Sequence, residues 1–220
     1  DPATNPKGWP VVELRALGTP LSGGGFPLEE QGHAEGEVPF IKVSDMNSPG
    51  NEVFIRFANH WVSAETLHRL HVKAAPAGTT IFPKIGAAVA TNKKRLLLRE
   101  TAYDNNVIGV VPHKPEWSTY IFAFFLLFDL RRLTRTTALP SIKTSELGVL
   151  PMPKPDQRTI QAFNTQFRRL LELQEAQRML DGLINGLFDV LLHRAFTGDL
   201  TAKWREAHMK ELLQEMEQQA

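Results

Sequence analysis

The sequence predicts an α+β protein, with a mixed α/β globule over residues 1–150 and a helical region over residues 151–220. The globule is predicted because short stretches rich in β-branched and aromatic residues lie between Gly, Pro and Asn turns and alternate with segments of helical spacing. The helical region is predicted by apolar side chains that recur at steps of three and four between Pro155 and Phe196, with no Pro in between. This is the pattern of one long helix with a buried seam.

The composition excludes several classes of protein. A chain of 220 residues is long enough to bury a core, as one medium domain or a domain with an appendage. The absence of Cys excludes a disulfide framework, a thiolate zinc site and a cysteine nucleophile, and it predicts a reducing, cytoplasmic setting. The longest apolar run, residues 120–128, is much shorter than a membrane span, so no membrane partner is expected.

Positive charge is concentrated in the middle of the chain. Residues 84–143 contain 10 basic and 4 acidic side chains, a net charge of +6. The net charge of residues 1–83 is −3 and that of residues 144–220 is −2. This asymmetry favours a polyanionic partner for the middle segment.

The first residues of the globule predict a strand and a loop. Residues 11–17 have the pattern of a short strand, and Gly18, Thr19, Pro20 and the run of residues 22–25 predict a loop. Bare backbone amides in a glycine loop can cradle a phosphate. Here no Lys-Ser or Lys-Thr follows and no helix begins, so a turn is the better interpretation.

Two further strands and a helix are predicted next. Residues 38–43 and 53–57 are rich in β-branched and aromatic residues, and Ser63 is a good N-cap for a helix through Ala75. Three histidines lie close in sequence, and two of them can share a helix face. No third ligand of suitable spacing is evident, so structural roles are the better interpretation for His60, His68 and His71.

The most positive segment alternates short strands with basic, amide-rich loops. Residues 79–82, 96–99 and 107–111 have the pattern of strands. In the loops, Lys can neutralise phosphates while Asn and Arg can pair with base edges, so we expect this segment to contact DNA. The residues expected to do so are Lys84, Asn92, Lys93, Lys94 and Arg95. The alternative for the last three is a solvated hairpin tip.

A second helix is predicted from Pro115 to about residue 133, and its continuous apolar run is typical of packing rather than of a platform for stacked bases. Arginines at its C-terminal end are favoured by the helix dipole and are equally suited to phosphate contacts. They are Arg131, Arg132 and Arg135. Ser141 is a candidate cap for a short helix turn, and both Ser141 and Lys143 are expected to contact DNA. Residues 150–155 predict a stiff, extended linker.

The long helix is predicted over about residues 155–196. Its length, roughly 50 Å at about 1.5 Å per residue, exceeds the needs of a small globule and indicates pairing with another long helix. Gly198 is placed to end this helix, and Thr201 to cap a last helix over about residues 201–218. That last helix either folds back on the long helix, or a helix from another chain or from another half of the protein pairs there. The expected seam consists of Ile160, Phe163, Phe167, Leu170, Leu173, Leu180, Leu183 and Leu187.

The sequence contains none of the catalytic motifs sought. There is no Walker loop, no Gly-x-Ser-x-Gly elbow, no His-Glu-x-x-His motif and no Asn-Pro-Pro-aromatic motif of an amino-methyltransferase. Asp156 resembles part of a nuclease site only superficially, and it is better explained as a capping carboxylate at a helix start. The residues therefore favour a binding protein over an enzyme, and they predict no cofactor and no metal ion.

Four stretches, which span nearly the whole chain, resemble the DNA-specificity subunit of type I restriction-modification systems. Each is loose by itself, but their order and spacing are fairly specific. They are Asn5-Pro6-Lys7-Gly8-Trp9-Pro10 leading into Leu14; Phe82-Pro83-Lys84-Ile85-Gly86 with Thr91-Asn92-Lys93; Leu139-Pro140-Ser141-Ile142-Lys143 followed by Leu150-Pro151-Met152-Pro153; and Leu191-Leu192-His193-Arg194-Ala195-Phe196-Thr197-Gly198-Asp199-Leu200.

The resemblance implies a DNA target-recognition domain, residues 1–150, followed by one conserved helical region. In this family an antiparallel pair of long helices holds two recognition domains apart, and each domain reads one half of a split site in double-stranded DNA. The helices also dock methyltransferase subunits, and the complex includes a restriction subunit. Half-sites on one face of DNA lie roughly 34 Å apart or a multiple of it, a distance that a helix of this length can govern. The subunit itself is implied to be non-catalytic.

This sequence departs from the family pattern because it contains one recognition domain. It is either a half-size subunit that forms a homodimer, which implies a palindromic split site, or the C-terminal half of a longer subunit, which pairs with the other half of that subunit through the long helix. The Asp1-Pro2 start without Met favours a truncated chain. Two other interpretations stay open: a coiled-coil assembly module without DNA binding, and a specificity fragment of a fused restriction enzyme.

Overall fold

The structure is a computed structural model that describes residues 5–134 and 140–219. The chain divides into two compact units, Asp1–Phe167 and Arg168–Ala220. The first unit is a mixed α/β globule and the second is helical, which confirms the predicted fold class. The first unit continues past residue 150 and includes the first turns of the long helix.

Short strands and helices alternate along the described part of the first unit. The strands are β1 (Val11–Glu13), β2 (Gly18–Ser22), β3 (Val38–Ile41), β4 (Phe54–Ile55), β5 (Trp61–Val62), β6 (Thr80–Pro83), β7 (Arg95–Leu97), β8 (Ala102–Tyr103), β9 (Val107–Pro112) and β10 (Pro151–Pro153). The helices are α1 (Ala64–Arg69), α2 (Ala87–Ala90), α3 (Pro115–Leu127), α4 (Thr144–Gly148) and α5 (Gln157–Phe196), which continues into the second unit. Four 3₁₀ segments, Leu14–Ala16, Leu28–Glu30, Val43–Asn47 and Leu130–Leu133, complete this unit.

A five-stranded sheet, ordered β2-β9-β6-β7-β4, forms the centre of the first unit. Its pairs are antiparallel except for the parallel pair of β4 and β7. The first unit also contains a three-stranded sheet, β5-β3-β8, and a two-stranded sheet, β1-β10.

Successive side chains of β6 enter different hydrophobic clusters, as the alternation of a strand requires. Ile81 packs in a cluster with Tyr103, and Phe82 packs in a cluster with Phe125 of α3. All four side chains are buried. Gly109 of β9 leaves room for the Tyr103 ring, since a Cβ there would lie 2.6 Å from the Tyr103 hydroxyl oxygen. Helix α3 therefore covers one face of the central sheet.

The loop predicted over residues 18–20 and 22–25 is partly strand. Residues 18–22 form β2, which pairs with β9. The sequence did not predict this strand, because its partner lies far away in sequence and gives no local signal. The glycines that follow β2 then pass close to the backbone of residues 103 and 104. A Cβ on Gly23 would lie 1.9 Å from the Asp104 carbonyl oxygen. The amides of Gly23 and Gly24 donate to the Val107 and Tyr103 carbonyls, at 3.1 and 3.0 Å. These amides are therefore engaged in backbone hydrogen bonds.

The predicted linker at residues 150–155 is wrong. Residues 151–153 form β10, which pairs antiparallel with β1, and Met152 is fully buried. Backbone bonds from Leu14 N to Leu150 O (2.8 Å) and from Lys154 N to Pro10 O (2.7 Å) extend the pairing at both ends. The two prolines are tolerated because the sheet has two strands, so each strand has a free edge.

The two longer helices predicted in the globule are present, but both end earlier than predicted. Ser63 caps α1 as predicted, accepting from the Thr66 amide at 3.1 Å, but α1 ends at Arg69 rather than Ala75. His71, with φ of 53°, lies outside helical conformation and prevents continuation. Helix α3 likewise stops at Leu127. Ser141 does not cap the following helix, because the N-cap position of α4 is Lys143.

The start of α5 belongs to the first unit. Asp156 caps it as predicted, because its carboxylate accepts from the Thr159 amide at 2.8 Å. Hydrogen bonds from the Thr159 amide and hydroxyl lower the pKa of Asp156. Ile160 and Asn164 are buried, and Asn164 Nδ2 donates to the Glu116 carbonyl of α3 at 2.8 Å. The first turns of α5 are therefore part of the globule's packing.

The second unit contains the rest of α5, a 3₁₀ turn (Asp199–Thr201) and two short helices, α6 (Ala202–Ala207) and α7 (Met209–Gln219). Gly198, with φ of 76°, follows the end of α5, as predicted. The last helix, predicted as one element over about residues 201–218, is interrupted at His208, whose ring stacks on Trp204. In the described part of the chain, no helix combines the length and the apolar character needed to cross a membrane.

Candidate nucleic-acid interface

Two loops that are far apart in sequence lie side by side in the first unit. Residues 84–86 follow β6, and residues 140–143 precede α4; we call them the paired loops. Gly86 N donates to Pro140 O at 2.8 Å, and Ile142 N donates to Lys84 O at 2.9 Å. Ile142 is fully buried below this bridge, whereas Lys143 is exposed and Ser141 is partly exposed. Lys84, Ser141 and Lys143, predicted in separate loops, thus belong to one surface.

Lys84 is held at the end of the central sheet. Its amide donates to the Asn106 carbonyl at 2.7 Å, and its ammonium donates to the Ser22 hydroxyl at 2.7 Å. The side chain is partly exposed, and its hydrogen-bond partner is neutral. Its positive charge is therefore not cancelled by the group that positions it.

Arg131 and Arg132 lie on a turn after α3, residues 128–133, which we call the arginine turn. Asp129 accepts from the Arg131 amide (3.0 Å) and from its Nε and Nη2 (2.9 and 2.6 Å). Hydrogen bonds from the Arg131 side chain and amide lower the pKa of Asp129 to about 2. Arg132 is exposed and lies over the Phe128 ring, 5.3 Å from its centroid. The turn presents two guanidinium groups, of which Arg131 is paired with Asp129.

Asn92 and Lys94 contact the backbone of this arginine turn. The Leu130 amide donates to Asn92 Oδ1 at 2.9 Å, and Lys94 Nζ donates to the Phe128 carbonyl at 2.7 Å. Lys94 is 3% exposed, and burial lowers its pKa from 10.5 to about 8. It therefore does not present its charge at the surface, either as a direct DNA contact or as part of a solvated hairpin tip.

The neighbouring cations face a different segment of the unit. Arg95 donates to the Met46 carbonyl at 2.6 Å, and Lys93 Nζ hydrogen-bonds the Asn47 side chain. Burial lowers the pKa of Arg95 as well. These contacts attach the start of β7 to the 3₁₀ segment Val43–Asn47. Arg135, also predicted to contact phosphate, lies outside the described residues.

The predicted seam of α5 divides into two groups. Ile160, Phe163 and Phe167 pack within the first unit, where Phe163 meets Tyr120 at 6.2 Å and Phe167 meets Phe122 at 6.3 Å between ring centroids. The other five members lie in the second unit and are 49–70% exposed. They are Leu170, Leu173, Leu180, Leu183 and Leu187.

The histidines do not converge with carboxylates. Among the described residues, no group of three or more His, Asp or Glu side chains is placed to hold a metal ion. His60 Nδ1 accepts from the Gly32 amide at 2.9 Å, and the His68 and His71 rings lie 6.5 Å apart.

Comparison with known proteins finds its matches among solved structures. No family model and no curated protein matches the chain. The S subunit of a type I restriction-modification system from M. genitalium matches with a TM-score of 0.63 at 15% identity, covering 93% of this chain and 51% of that one. A chain from a structure describing complex assembly and conformational transition of the type I system matches with a TM-score of 0.57 at 16% identity, covering 87% and 46%.

This chain has the fold of a type I S subunit. It spans about half the length of the solved chains it matches. At 15–16% identity the likeness concerns the fold alone. The paired loops and the arginine turn are therefore identified from the contacts described above and not from the similarity.

Within the S-subunit fold, sequence reasoning missed two residues that hold the candidate contacts. Asp129 precedes Arg131 by two positions, so a local signal for their pairing was present in the sequence. Ser22 lies 62 residues from Lys84, and no local pattern relates them. Only the pairing of β2, β9 and β6 brings their elements together.

Proposed function

We propose that this chain is a non-catalytic specificity module that reads one half of a split DNA site. The observation that carries the proposal is the pairing of two polar, basic loops in one unit whose fold is that of an S subunit. Loops anchored on a rigid sheet are suited to recognition because their side chains are held while their sequence can vary. The segment that supplies both loops and the arginine turn has a net charge of +6.

We assign different tasks to the accessible polar residues. Lys84, Lys143 and Arg132 neutralise backbone phosphates, and Arg131, fixed by Asp129, adds a weaker phosphate contact. Ser141, between Lys84 and Lys143 on the paired loops, is placed to read a base edge. Lys93 is a weaker candidate because it already bonds Asn47. Arg95, committed to backbone carbonyls, is left out of the proposed contact set.

The exposed apolar residues of α5 support a second part of the proposal, which is pairing through the helix. Leu180, Leu183 and Leu187 recur at helical spacing and are each more than half exposed. Contiguous apolar surface of this kind marks a protein interface. We propose that this face pairs antiparallel with a second copy or with the other half of a longer subunit. The pair would dock the methyltransferase subunits of a complex that also contains a restriction subunit.

Fluorescence anisotropy with a labelled duplex across a salt series tests DNA binding. Binding should weaken steeply with salt, and replacing two phosphate contacts, Arg132→Gln with Lys143→Gln, should lower the slope of log K against log salt by roughly 1.8, about 0.9 per contact. The matched control is Arg69→Gln with Lys73→Gln, which removes the same charge from a site where Glu29, Glu30 and Glu65 surround Arg69.

Three results separate the alternatives. A reduced slope in the first variant and an unchanged slope in the control support the proposed interface. An unchanged slope in both removes the arginine turn and the paired loops from it. A folded chain that forms dimers but binds no duplex at low salt favours an assembly module, which the exposed face of α5 would equally serve.

A further inference from the structure

We infer that Asn92 and Lys94 are positioning residues, which set the conformation of the arginine turn without touching DNA. The inference rests on the proposed DNA-binding function and goes beyond it, because it assigns an indirect role to two residues predicted from sequence as contacts. Specificity would then depend on residues behind the interface as well as on those within it.

Three side chains fix the backbone of the turn at successive points. Lys94 Nζ donates to the Phe128 carbonyl (2.7 Å), Asn92 Oδ1 accepts from the Leu130 amide (2.9 Å), and Asp129 accepts from the Arg131 amide (3.0 Å). Phe128, Leu130 and Leu133 are buried below the turn. The turn is therefore held by polar contacts along its backbone and by apolar anchors at both ends.

The Lys94 and Asn92 contacts engage backbone groups at the ends of elements, where the element itself supplies no partner. Phe128 is the C-cap residue of α3, where carbonyls lack partners within the helix and a cation is favoured by the dipole. The Leu130 amide opens the 3₁₀ turn and is not bonded by that turn itself. Removing either side chain leaves a polar backbone group in a buried setting, and such a group is costly unless the turn moves to reach water.

The backbone of Asn92 is adapted to this task. Its φ of 55° lies in the left-handed region, which Asn, Asp and Gly enter more readily than other residues. Helix α2 ends immediately before Thr91, and it packs against the 3₁₀ segment of the arginine turn. The left-handed residue thus redirects the chain from α2 into β7 while its side chain faces the turn.

Burial excludes a direct phosphate contact for Lys94. It is 3% exposed, and its ammonium is already bonded to a carbonyl oxygen. For Asn92 the distinguishing atom is Oδ1. A phosphate contact would use the amide donors, and a paired contact to adenine would use the donor and the acceptor together, whereas the turn already occupies the acceptor. Asp retains that acceptor and tolerates the same φ, so Asn92→Asp and Asn92→Gly separate the two roles.

The test is a set of double-mutant cycles with Arg132→Gln. Each cycle is measured as the Kd for a duplex carrying a target site selected by the wild-type protein from a random-sequence library. In wild-type protein, Arg132→Gln should weaken binding about five-fold or more, the magnitude of one charge-assisted contact. In Asn92→Asp, which keeps the acceptor, the same loss is expected. In Asn92→Gly and in Lys94→Met the loss should shrink to about two-fold or less, since Arg132 is no longer in place. Thermal unfolding of each variant establishes that it is folded at the assay temperature.

The outcomes separate the inference from the function on which it rests. If wild-type protein binds the duplex and Arg132→Gln costs the same in every background, the positioning roles are overturned and the proposed function stands. The positioning roles are equally overturned if Asn92→Asp behaves like Asn92→Gly in the cycle. If wild-type protein binds no DNA, both fail together. If Lys94→Met does not fold, the two Asn92 variants decide the matter alone.

Discussion

At the scale of single residues, charge in the sequence does not indicate charge at the surface. Lys93, Lys94 and Arg95 form a basic run, yet the ammonium and guanidinium of the last two are committed to backbone carbonyls. No local pattern predicts this, because the partners, Phe128 and Met46, are 34 and 49 residues away. Lys84, Ser141 and Lys143 were predicted in two separate loops, and their adjacency depends on strand pairing that the sequence does not reveal.

Lys94 should make the stability of the fold depend on pH. Burial lowers its pKa from 10.5 to about 8 in the folded chain, while in the unfolded chain it stays near 10.5. Between these values the unfolded state binds more protons, so the free energy of unfolding should rise with pH over this window. Below pH 8 both states carry the proton and the contribution is constant.

Urea unfolding at intervals between pH 7 and about 10 measures this effect, with Lys94→Met as the reference. The difference in unfolding free energy, wild type minus variant, should increase from about pH 8 upward. Tyr103 and Tyr120, whose pKa values burial raises, are present in both proteins, so their titration cancels. A difference that stays flat with pH would show that Lys94 is not desolvated in solution.

At the scale of secondary structure, local signals predicted the elements whose own residue pattern is typical of a helix or a strand. The spacing of apolar residues located α5 and α3, and β-branched runs located β3, β6 and β9. Strands β2 and β10 were missed, because Gly, Pro and Ser disfavour strands and only a distant partner stabilises them. The predicted end of the globule at residue 150 followed from the same error, since β10 pairs with β1.

The role of β10 as part of the globule can be tested with one substitution. Met152 is fully buried in the cluster that includes Leu14, so Met152→Ala should lower the free energy of unfolding by about 2–5 kcal/mol. Val149→Ala is the control, because Val149 is 48% exposed and its loss should cost about 0.5 kcal/mol or less. Equal, small effects in urea unfolding would restore the interpretation of residues 150–155 as a linker.

At the scale of the whole molecule, the two units place different demands on a partner. The first unit buries its own core, with Phe82, Phe125 and Ile108 fully or almost fully inaccessible. In the described part of the second unit, large apolar side chains such as Leu183 and Phe188 are 70% and 61% exposed. A helix with such a face gains most of its stability from packing against another element. The second unit is therefore the part of the chain whose stability would gain from association. Under the proposed function, a homodimer would present two identical recognition domains and would therefore select inverted repeats.

Substitution on the exposed face of α5 should abolish self-association without affecting the first unit. Leu183→Glu with Leu187→Glu places two carboxylates on a face that pairing would bury, so a dimer should dissociate to monomer in light scattering. Gln174→Glu with Gln177→Glu adds the same charge at exposed polar positions of the helix and should leave the mass unchanged. The unfolding transition of the first unit should be the same in all three proteins, because the substituted residues lie outside it. A wild-type chain that is monomeric at all concentrations would exclude the homodimer and leave pairing with the other half of a longer subunit. Selection of bound duplexes from a random-sequence library should then return a single half-site rather than an inverted repeat.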